Sequence, residues 1–179
     1  ASQLPTLEPE GDVCWTKVDV GNEQYVSANV YLRSTLSDLE YSETLSDIQG
    51  RLVSLQSNRT RTLLAGDINV DASRPGDNAK AASTASLLQD AGMYRVDLAP
   101  ELAAMHTHVP WQAGHVLTHI DALAIDDRIR VGVTSSGIDT DHTSHDLIPL
   151  TDHRALWVSF HVRATKVLPP PPCIVFKVG

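Results

Sequence analysis

An apolar run ends at a glycine in the segment Leu63-Leu64-Ala65-Gly66-Asp67-Ile68-Asn69. In extended chain, residues i and i+2 point to the same side, so the side chains of Asp67 and Asn69 can meet one ligand. A carboxylate at the end of a strand can act as a base or as a metal ligand, and a nearby amide can orient a phosphate or a water molecule. The same string of residues is also common in turns, so its interpretation depends on the rest of the chain.

Two other segments place acidic residues beside or within apolar strands. An acid lies inside the run His119-Ile120-Asp121-Ala122-Leu123-Ala124-Ile125, and an Asp-His pair precedes a strand in Leu150-Thr151-Asp152-His153-Arg154-Ala155-Leu156. A buried, unpaired carboxylate is costly, so Asp121 needs a partner. His153 can be that partner, because a carboxylate fixes the tautomer of an imidazole and favours its charged form. Strand neighbours face opposite ways, so we expect Asp152 to meet a metal rather than His153.

The first part of the chain predicts a hairpin and then a helix. Strands are expected over residues 13–20 and 24–32, with Gly21-Asn22 as the turn between them. A capping box of Ser37 and Glu40 predicts the start of the helix. Its apolar residues recur at helical spacing: Leu36, Leu39, Leu45, Ile48, Leu52 and Leu55.

The rest of the chain alternates helix and strand signals, which predicts an α/β or α+β sheet with helices packed on it. The predicted elements follow in this order: a short strand over 62–65, a helix over 79–91 with Gly92 as its C-cap, strands over 119–125 and 130–133 around a turn at Asp126-Asp127, a polar loop over 134–151, and a last strand over 154–162.

Five motifs in register resemble the second half of the endonuclease/exonuclease/phosphatase (DNase I-like) superfamily, over about residues 13–162. Gly66-Asp67-Ile68-Asn69 is similar to the family's Gly-Asp-Phe-Asn, Ile120-Asp121-Ala122 to its Ile-Asp-Tyr, and Thr151-Asp152-His153 to its Ser-Asp-His. Asn29-Val30-Tyr31-Leu32 resembles a Val-Tyr-x-Pro strand. Gly92-Met93 followed by Asp97 resembles a Gly-Leu-x-Asp segment.

The resemblance implies a DNase I-like β-sandwich with flanking helices, of class α/β (α+β), without its N-terminal half. We expect a partial domain over residues 13–163 and a Pro-rich tail or linker over 164–179. In the family, the first half carries an early Asn and a Gln-Glu pair whose glutamate is the main metal ligand. Glu8 and Glu10 lie in a Pro-flanked segment without a strand around it. We therefore expect another chain or an upstream segment to complete the fold, covering the face of residues 13–20 or 25–32.

The resemblance also implies a role for each site residue. Asp67 would be the base that activates water, Asn69 would orient that water or the substrate, and Asp121 would hold His153. His153 would stabilise charge on the phosphate oxygens. Further roles are implied for three residues: Asp152, with Asp67, at a Mg²⁺ (or Mn²⁺) site; Tyr31 in the phosphate pocket; and Asn78 in a substrate-binding loop, for which helix capping is an equal alternative.

Two departures from the family pattern leave two functions open. Arg33 stands where the family has proline, and Ala122 where it has an aromatic residue. The first hypothesis is a metal-dependent phosphoesterase or nuclease acting on phosphate esters, with DNA phosphodiesters among the candidates. The alternative is a non-catalytic scaffold or subunit that keeps the fold without the activity. The net charge of −8 argues against strong non-specific nucleic-acid binding by this chain alone.

The composition indicates the class of the protein and the compartment in which it is expected. Hydrophobic residues make up 42% and charged residues 20%, the balance of a globular domain, and no apolar run is long enough to insert into a membrane. The widely separated Cys14 and Cys173 provide no disulfide framework, which favours reduced thiols in an intracellular protein. Four histidines could bind zinc or lie in surface loops, and the latter is favoured because their spacing matches no zinc motif: His106, His108, His115 and His119. As an alternative, the resemblance offers His108 a place in the family's loop before the Ile-Asp-Tyr strand.

Overall fold

The structure is a computed structural model, which describes residues 13–71, 76, 78–102, 105–108, 110, 117–139 and 153–162. Seven strands and three helices occur in these ranges. In chain order they are β1 (Val13–Val20), β2 (Glu23–Tyr31), α1 (Asp38–Leu55), β3 (Thr60–Asp67), α2 (Ala79–Asp90), β4 (Met93–Arg95), β5 (Asp121–Asp126), α3 (Asp127–Arg130), β6 (Val133–Ile138) and β7 (Leu156–Phe160).

Five strands form one sheet in the order β1-β2-β3-β5-β4. The predicted hairpin is present, with Gly21 at a positive φ of 64° in its turn. Strands β2 and β3 are parallel and α1 connects them, while the other neighbours in the sheet are antiparallel. The register aligns Tyr31 with Asp67 and Asp67 with Asp121, so three adjacent strands carry these residues in one row at one end of the sheet.

Helices α1 and α2 cover one face of this sheet. The capping box of Ser37 and Glu40 forms as predicted. The apolar residues predicted for α1 supply much of its contact with the sheet: Leu45, Ile48 and Leu52 are buried, Leu36 and Leu55 pack against the same core, and Leu39 is exposed. Helix α2 ends at Asp90, and Gly92 follows with a φ of 62°. The capping box therefore marks the start of α1, Gly92 follows the end of α2, and the regularly spaced apolar residues of α1 form its buried face.

Strands β6 and β7 form a separate antiparallel pair against the opposite face of the large sheet. The side chains of β7 alternate in burial, because Leu156, Val158 and Phe160 pack against a second apolar cluster while Trp157 and Ser159 are exposed. Residues of the large sheet, and Val96 directly after β4, contribute the other side of that cluster: Tyr25, Val96, Leu123 and Ile125. The two sheets thus pack face to face through apolar side chains, as in a β-sandwich.

The segment after β5 differs from the sequence prediction. Residues 127–130 form the short helix α3, so the strand predicted over 130–133 is wrong at its start. Asp126 explains the helix, because its carboxylate accepts hydrogen bonds from the backbone N–H of Arg128 (2.9 Å) and from the Arg128 side chain. Strand β6 then runs through the first part of the loop predicted over 134–151. Among the described helices, none is both long enough and apolar enough to span a membrane.

Candidate active site

Residues with a positive φ lie on both sides of Asp67, which ends β3. Gly66 has a φ of +133°, and a Cβ added there would lie 2.0 Å from the carbonyl oxygen of Val30. Any side chain at this position would therefore clash with backbone. Asn69 follows with a φ of 50°, in the left-handed region that asparagine tolerates better than most residues.

Hydrogen bonds hold Asp67 and Asn69 side by side. Asp67 Oδ1 accepts from the backbone N–H of Asn69 at 2.8 Å. The Asn69 amide nitrogen donates to Asp67 Oδ2 at 3.0 Å and to the carbonyl of Leu32 at 2.9 Å. The prediction that these two side chains can meet one ligand fits this geometry, although they meet through a turn rather than through a continuing strand.

His153 lies between two carboxylates. Its Nδ1 is 3.0 Å from both oxygens of Asp121, and its Nε2 is 3.9 Å from Asp67 Oδ2. The contact expected between Asp121 and His153 is therefore present. Because an ionised carboxylate can only accept, Nδ1 carries a proton, and Nε2 faces Asp67. This geometry brings together, from three separate segments, two acids and an imidazole.

The position of Asp67 changes its acidity. Burial is the largest influence and raises the pKa of the Asp67 carboxyl, and the negative charge of Asp121 raises it further. The backbone N–H of Asn69 and the imidazoles of His153 and His108 act in the opposite direction, yet the pKa stays above its ordinary value. A raised pKa makes the ionised carboxylate a stronger base.

His108 is a neighbour of the site that the sequence interpretation did not identify. Its ring centroid lies 5.0 Å from that of His153, and its backbone forms isolated bridges with Thr118 and with His153. His108 Nδ1 is 3.1 Å from the hydroxyl of Thr118. The sequence did contain a signal, because the apolar strand bearing Asp121 follows shortly after this histidine, and the resemblance offered His108 a place in the loop before that strand without giving it a role.

His119 corrects the interpretation of the histidine-rich stretch as surface loops. It is only 3% exposed, and its Nε2 lies 2.9 Å from Asp97 Oδ2. Its Nδ1 is 2.8 Å from the carbonyl oxygen of Met105. Asp97 is also paired with Arg95, so His119 belongs to a buried ion cluster of Arg95, Asp97 and His119. His106 and His108 are partly buried, and His115 lies outside the described residues.

Three further site predictions have different outcomes. Tyr31 is 53% exposed beside Asp67 in the register, where it can line a pocket. The side-chain carbonyl of Asn78 accepts from the backbone N–H of Ala81 at 2.7 Å and caps α2, and its role in substrate binding stays a prediction. Asp152 lies outside the described residues.

The oxygen atoms at the site are of the chemical type that binds hard cations. Carboxylate and amide oxygens are ligands that Mg²⁺ takes, and a cation would relieve the repulsion between Asp67 and Asp121. Within the described ranges, no group of three or more His, Cys, Asp or Glu side chains is arranged to hold a metal. The residues in place thus fit part of a Mg²⁺ site, and the resemblance adds Asp152 as a further ligand.

Neither a protein-family model nor a curated protein sequence matches this chain, but solved structures do. The endonuclease domain of TRAS1, a telomere-specific non-LTR retrotransposon, aligns with a TM-score of 0.65 and 13% identity, over 85% of this chain and 64% of that one. An AP endonuclease from Archaeoglobus fulgidus aligns with a TM-score of 0.65 and 14% identity, over 90% and 70%. The AP endonuclease LMAP from Leishmania major aligns with a TM-score of 0.68 and 13% identity, over 87% and 56%.

These structures have the DNase I-like fold of endonuclease/exonuclease/phosphatase proteins. At such low identity the likeness shows the fold alone, and on that level the prediction is confirmed: the chain has a mixed α/β, DNase I-like fold with a five-stranded sheet and flanking helices. The chain spans 56–70% of the length of these three structures, and less than two thirds of the TRAS1 domain.

Proposed function

We propose that this chain, which has the DNase I-like fold, is part of a metal-dependent phosphoesterase or nuclease that hydrolyses phosphate esters. The observation that carries the proposal is the placement of His153 between Asp121 and Asp67, at 3.0 Å and 3.9 Å. A carboxylate-held imidazole beside a second, basic carboxylate is an arrangement suited to moving protons and stabilising a developing anion.

Each side chain has a distinct task in the proposed hydrolysis. Asp67 accepts a proton from the attacking water, and its raised pKa favours that role. Asn69 orients the water through its side-chain carbonyl, which accepts a hydrogen bond, because both N–H bonds of its amide already donate to Asp67 and to the Leu32 carbonyl. Asp121 holds Nδ1 of His153, so that Nε2, once protonated, donates a hydrogen bond to a phosphate oxygen as negative charge develops there. Tyr31, which is half-exposed beside Asp67, contacts the substrate from the neighbouring strand.

Mg²⁺ or Mn²⁺ is the proposed cofactor. Asp67 and Asp152 would hold it, and when bound it would neutralise charge on the phosphate and lower the pKa of water. Relief of the repulsion between Asp67 and Asp121 supports a cation at this end of the sheet. Asp67 would then act both as a ligand and as a base, because each of its oxygens keeps a lone pair beyond the hydrogen bond that it accepts from Asn69.

DNA is the proposed substrate class within the phosphate esters. Solved structures with the same fold include a 3′ phosphatase from Neisseria bound to a product DNA hairpin and two AP endonucleases. The net charge of this chain is −8, so we propose that binding depends on the metal and on a further protein segment rather than on a basic surface of this chain. The same segment, from upstream or from another chain, would supply the glutamate ligand.

Cleavage of a generic phosphodiester and of plasmid DNA, with Mg²⁺ or Mn²⁺ and with or without EDTA, tests the proposal on the assembly of this chain with the segment that completes the fold. We expect Asp67→Asn and His153→Ala each to lower kcat at least about 100-fold, because both remove charge and proton chemistry. Matched controls are Asp47→Asn and His161→Ala, whose side chains are exposed and lie on α1 and after β7. Equal losses in the controls would contradict the proposed roles.

A non-catalytic scaffold is the second candidate function. Arg33, which stands where the family has proline, favours it, as does the acidic net charge. The two candidates differ in one outcome of the same assay. A completed assembly that remains inert with Mg²⁺ and Mn²⁺ on a broad set of phosphate esters is a scaffold.

A further inference from the structure

Asp121 and His153 come from different parts of the fold. Asp121 begins β5 in the large sheet, and His153 precedes β7 in the two-stranded sheet. Their hydrogen bond at 3.0 Å therefore depends on how the backbones of the two sheets are held together at this end. Residues 105–108 lie between them, and their contacts reach both sides.

Thr107 provides those contacts. It is fully buried, and its backbone N–H donates to the carbonyl of Thr118 at 3.0 Å. Its own carbonyl accepts from the backbone N–H of Arg154, next to His153, at 2.6 Å. Its hydroxyl oxygen accepts from the backbone N–H groups of Ile120 at 3.2 Å and of Asp121 at 3.1 Å. One buried residue thus touches the backbone at both members of the pair.

The Thr107 hydroxyl also accepts a backbone hydrogen bond at the start of β5, where β4 does not pair with that strand. Strand β4 pairs with β5 only from Ala124 to Asp126, and the chain leaves this edge as Val96 N–H donates to the Leu123 carbonyl. Beyond that point side-chain oxygens accept the strand's N–H groups, Asp97 Oδ1 for Leu123 at 2.9 Å and Thr107 Oγ1 for Asp121. Backbone N–H groups buried without an acceptor are costly, so this end of β5 depends on Thr107 for its position.

We propose that Thr107 is a positioning residue of the site, whose hydroxyl and carbonyl together set the distance between Asp121 and His153. The inference rests on the proposed function only in treating that pair as catalytic. It predicts that loss of the hydroxyl changes the state of the His153 imidazole, and not merely the stability of the fold. The residue type matters, because valine has the shape of threonine without an acceptor.

Nitrogen NMR of the histidine side chains tests this directly on the chain, with His153 and His161 compared in their neutral forms. In the wild type we expect His153 to be held as the Nδ1–H tautomer by Asp121. In Thr107→Val we expect the tautomer fraction of His153 to shift toward that of the exposed His161, which serves as an internal reference. The signals of His153 are identified by their loss in His153→Gln.

Two comparisons separate positioning from stability. Thr107→Ser keeps the hydroxyl and should retain the wild-type tautomer. Thr62→Val is the matched control, because Thr62 is equally buried on β3 and its hydroxyl accepts from Gln56 at 3.2 Å, away from the site. If Thr107→Val fails to fold, Thr107→Cys is measured instead, since a thiol is a weak acceptor of similar size. A wild-type tautomer fraction in the folded Val or Cys variant, or an equal shift in Thr62→Val, would overturn the proposal.

Activity supplies a second readout. If the assembly cleaves phosphate esters, Thr107→Val should lower kcat at least about tenfold with little change in KM, because ground-state binding does not need the His153–Asp121 geometry. If no preparation cleaves any ester, the proposed function fails while the tautomer measurement still decides the role of Thr107. A loss confined to KM would contradict a positioning role.

Discussion

At the scale of single residues, the close approach of Gly66 to the Val30 carbonyl decides where Asp67 lies. The φ of Gly66 is +133°, and the carbonyl oxygen of Val30 is 2.0 Å from the point that a Cβ would occupy, so only glycine avoids a clash there. The residue ahead of the aspartate is therefore part of the site, although it has no functional group. Its contribution is conformational, since it lets β3 approach Val30 of β2 immediately before Asp67.

Gly66→Ala should lower the free energy of unfolding by about 3 kcal/mol or more, because the strain and the clash with Val30 add together. Gly50→Ala is the control on the same chain. Gly50 lies within α1 with nothing within 4 Å of an added Cβ, so alanine should stabilise the protein by about 1 kcal/mol. Urea denaturation of both variants measures this, and similar effects of the two substitutions would contradict the argument.

His119 shows how a buried histidine can carry charge. The Met105 carbonyl and the ionised Asp97 can only accept hydrogen bonds, so both ring nitrogens donate and the imidazole is protonated. Burial by itself lowers the pKa of His119, but the hydrogen bonds to Asp97 and Met105 outweigh it and the pKa is raised. The pKa of Asp97 is lowered, since Arg95 and His119 together overcome the opposing effect of burial.

The raised pKa of His119 predicts a pH-dependent stability. A group with a folded-state pKa above its unfolded value stabilises fully below the unfolded value, about 6.5 for histidine, and loses that contribution as pH rises through the folded value. His119→Gln should therefore destabilise by about 3 kcal/mol or more at about pH 5.5 and by less at about pH 9. Denaturation at both pH values measures the difference. His161→Gln, at an exposed position, should show neither effect, and a pH-independent loss in His119→Gln would refute a charged His119.

Among site residues, the sequence predicted those whose chemistry needs a partner. Asp121 was expected to pair because an isolated acid in an apolar strand is costly, and the structure supplies His153. Thr107 and His108 could not be predicted in the same way. Their positions depend on a bridge between segments ten residues apart, His108 with Thr118, which leaves no periodic signal in the sequence.

At the scale of elements, Asn78 at the N-cap of α2 has two proposed roles, helix capping and substrate binding, and substitutions can separate them. Asn78→Ala should lower the free energy of unfolding by about 1 kcal/mol, whereas Asn78→Ser keeps a capping oxygen and should stay near the wild type. If Asn78 also binds substrate, KM rises in both variants. Ser37→Ala, which removes the cap of α1, should cost a similar amount without changing KM. Unchanged KM in the Asn78 variants would remove the substrate role, and unchanged stability in Asn78→Ala would remove the capping role.

The longer elements could be predicted from the sequence, and the shortest ones could not. The hairpin and both long helices were predicted from local signals, namely a Gly-Asn turn, the capping box and regular apolar spacing of α1, and the glycine that follows α2. The three-residue strand β4 and the helix α3 were not. Each is too short to show a period, and β4 exists because β5 offers it an edge. Sheet order likewise depends on contacts between distant segments rather than on local preference.

At the scale of the whole molecule, the described surface contains apolar side chains that a partner segment could cover. Strand β1 is an outer strand of the large sheet, and Val18 and Val20 on it are 47% and 37% exposed. Trp157 on β7 is 44% exposed. An outer strand with unpaired backbone groups is a common site of pairing with further chain. This supports the proposal that another segment completes the fold and the metal site together.

Firm Mg²⁺ binding should require the glutamate of the segment that completes the fold. Mg²⁺ prefers octahedral oxygen coordination and releases its waters reluctantly, so Asp67, Asn69 and Asp152 offer too few ligands to hold it firmly. We expect this chain by itself to bind Mg²⁺ weakly and to cleave phosphodiesters little or not at all, and we expect a segment that contributes a glutamate to restore cleavage. Calorimetry with Mg²⁺, followed by the cleavage assay with and without EDTA, measures both steps. Because the proposed roles of Asp67 and His153 concern protons, their variants should bind the completing segment normally. Robust, EDTA-sensitive cleavage by this chain alone would show that the glutamate is not required and that the ligands already present suffice.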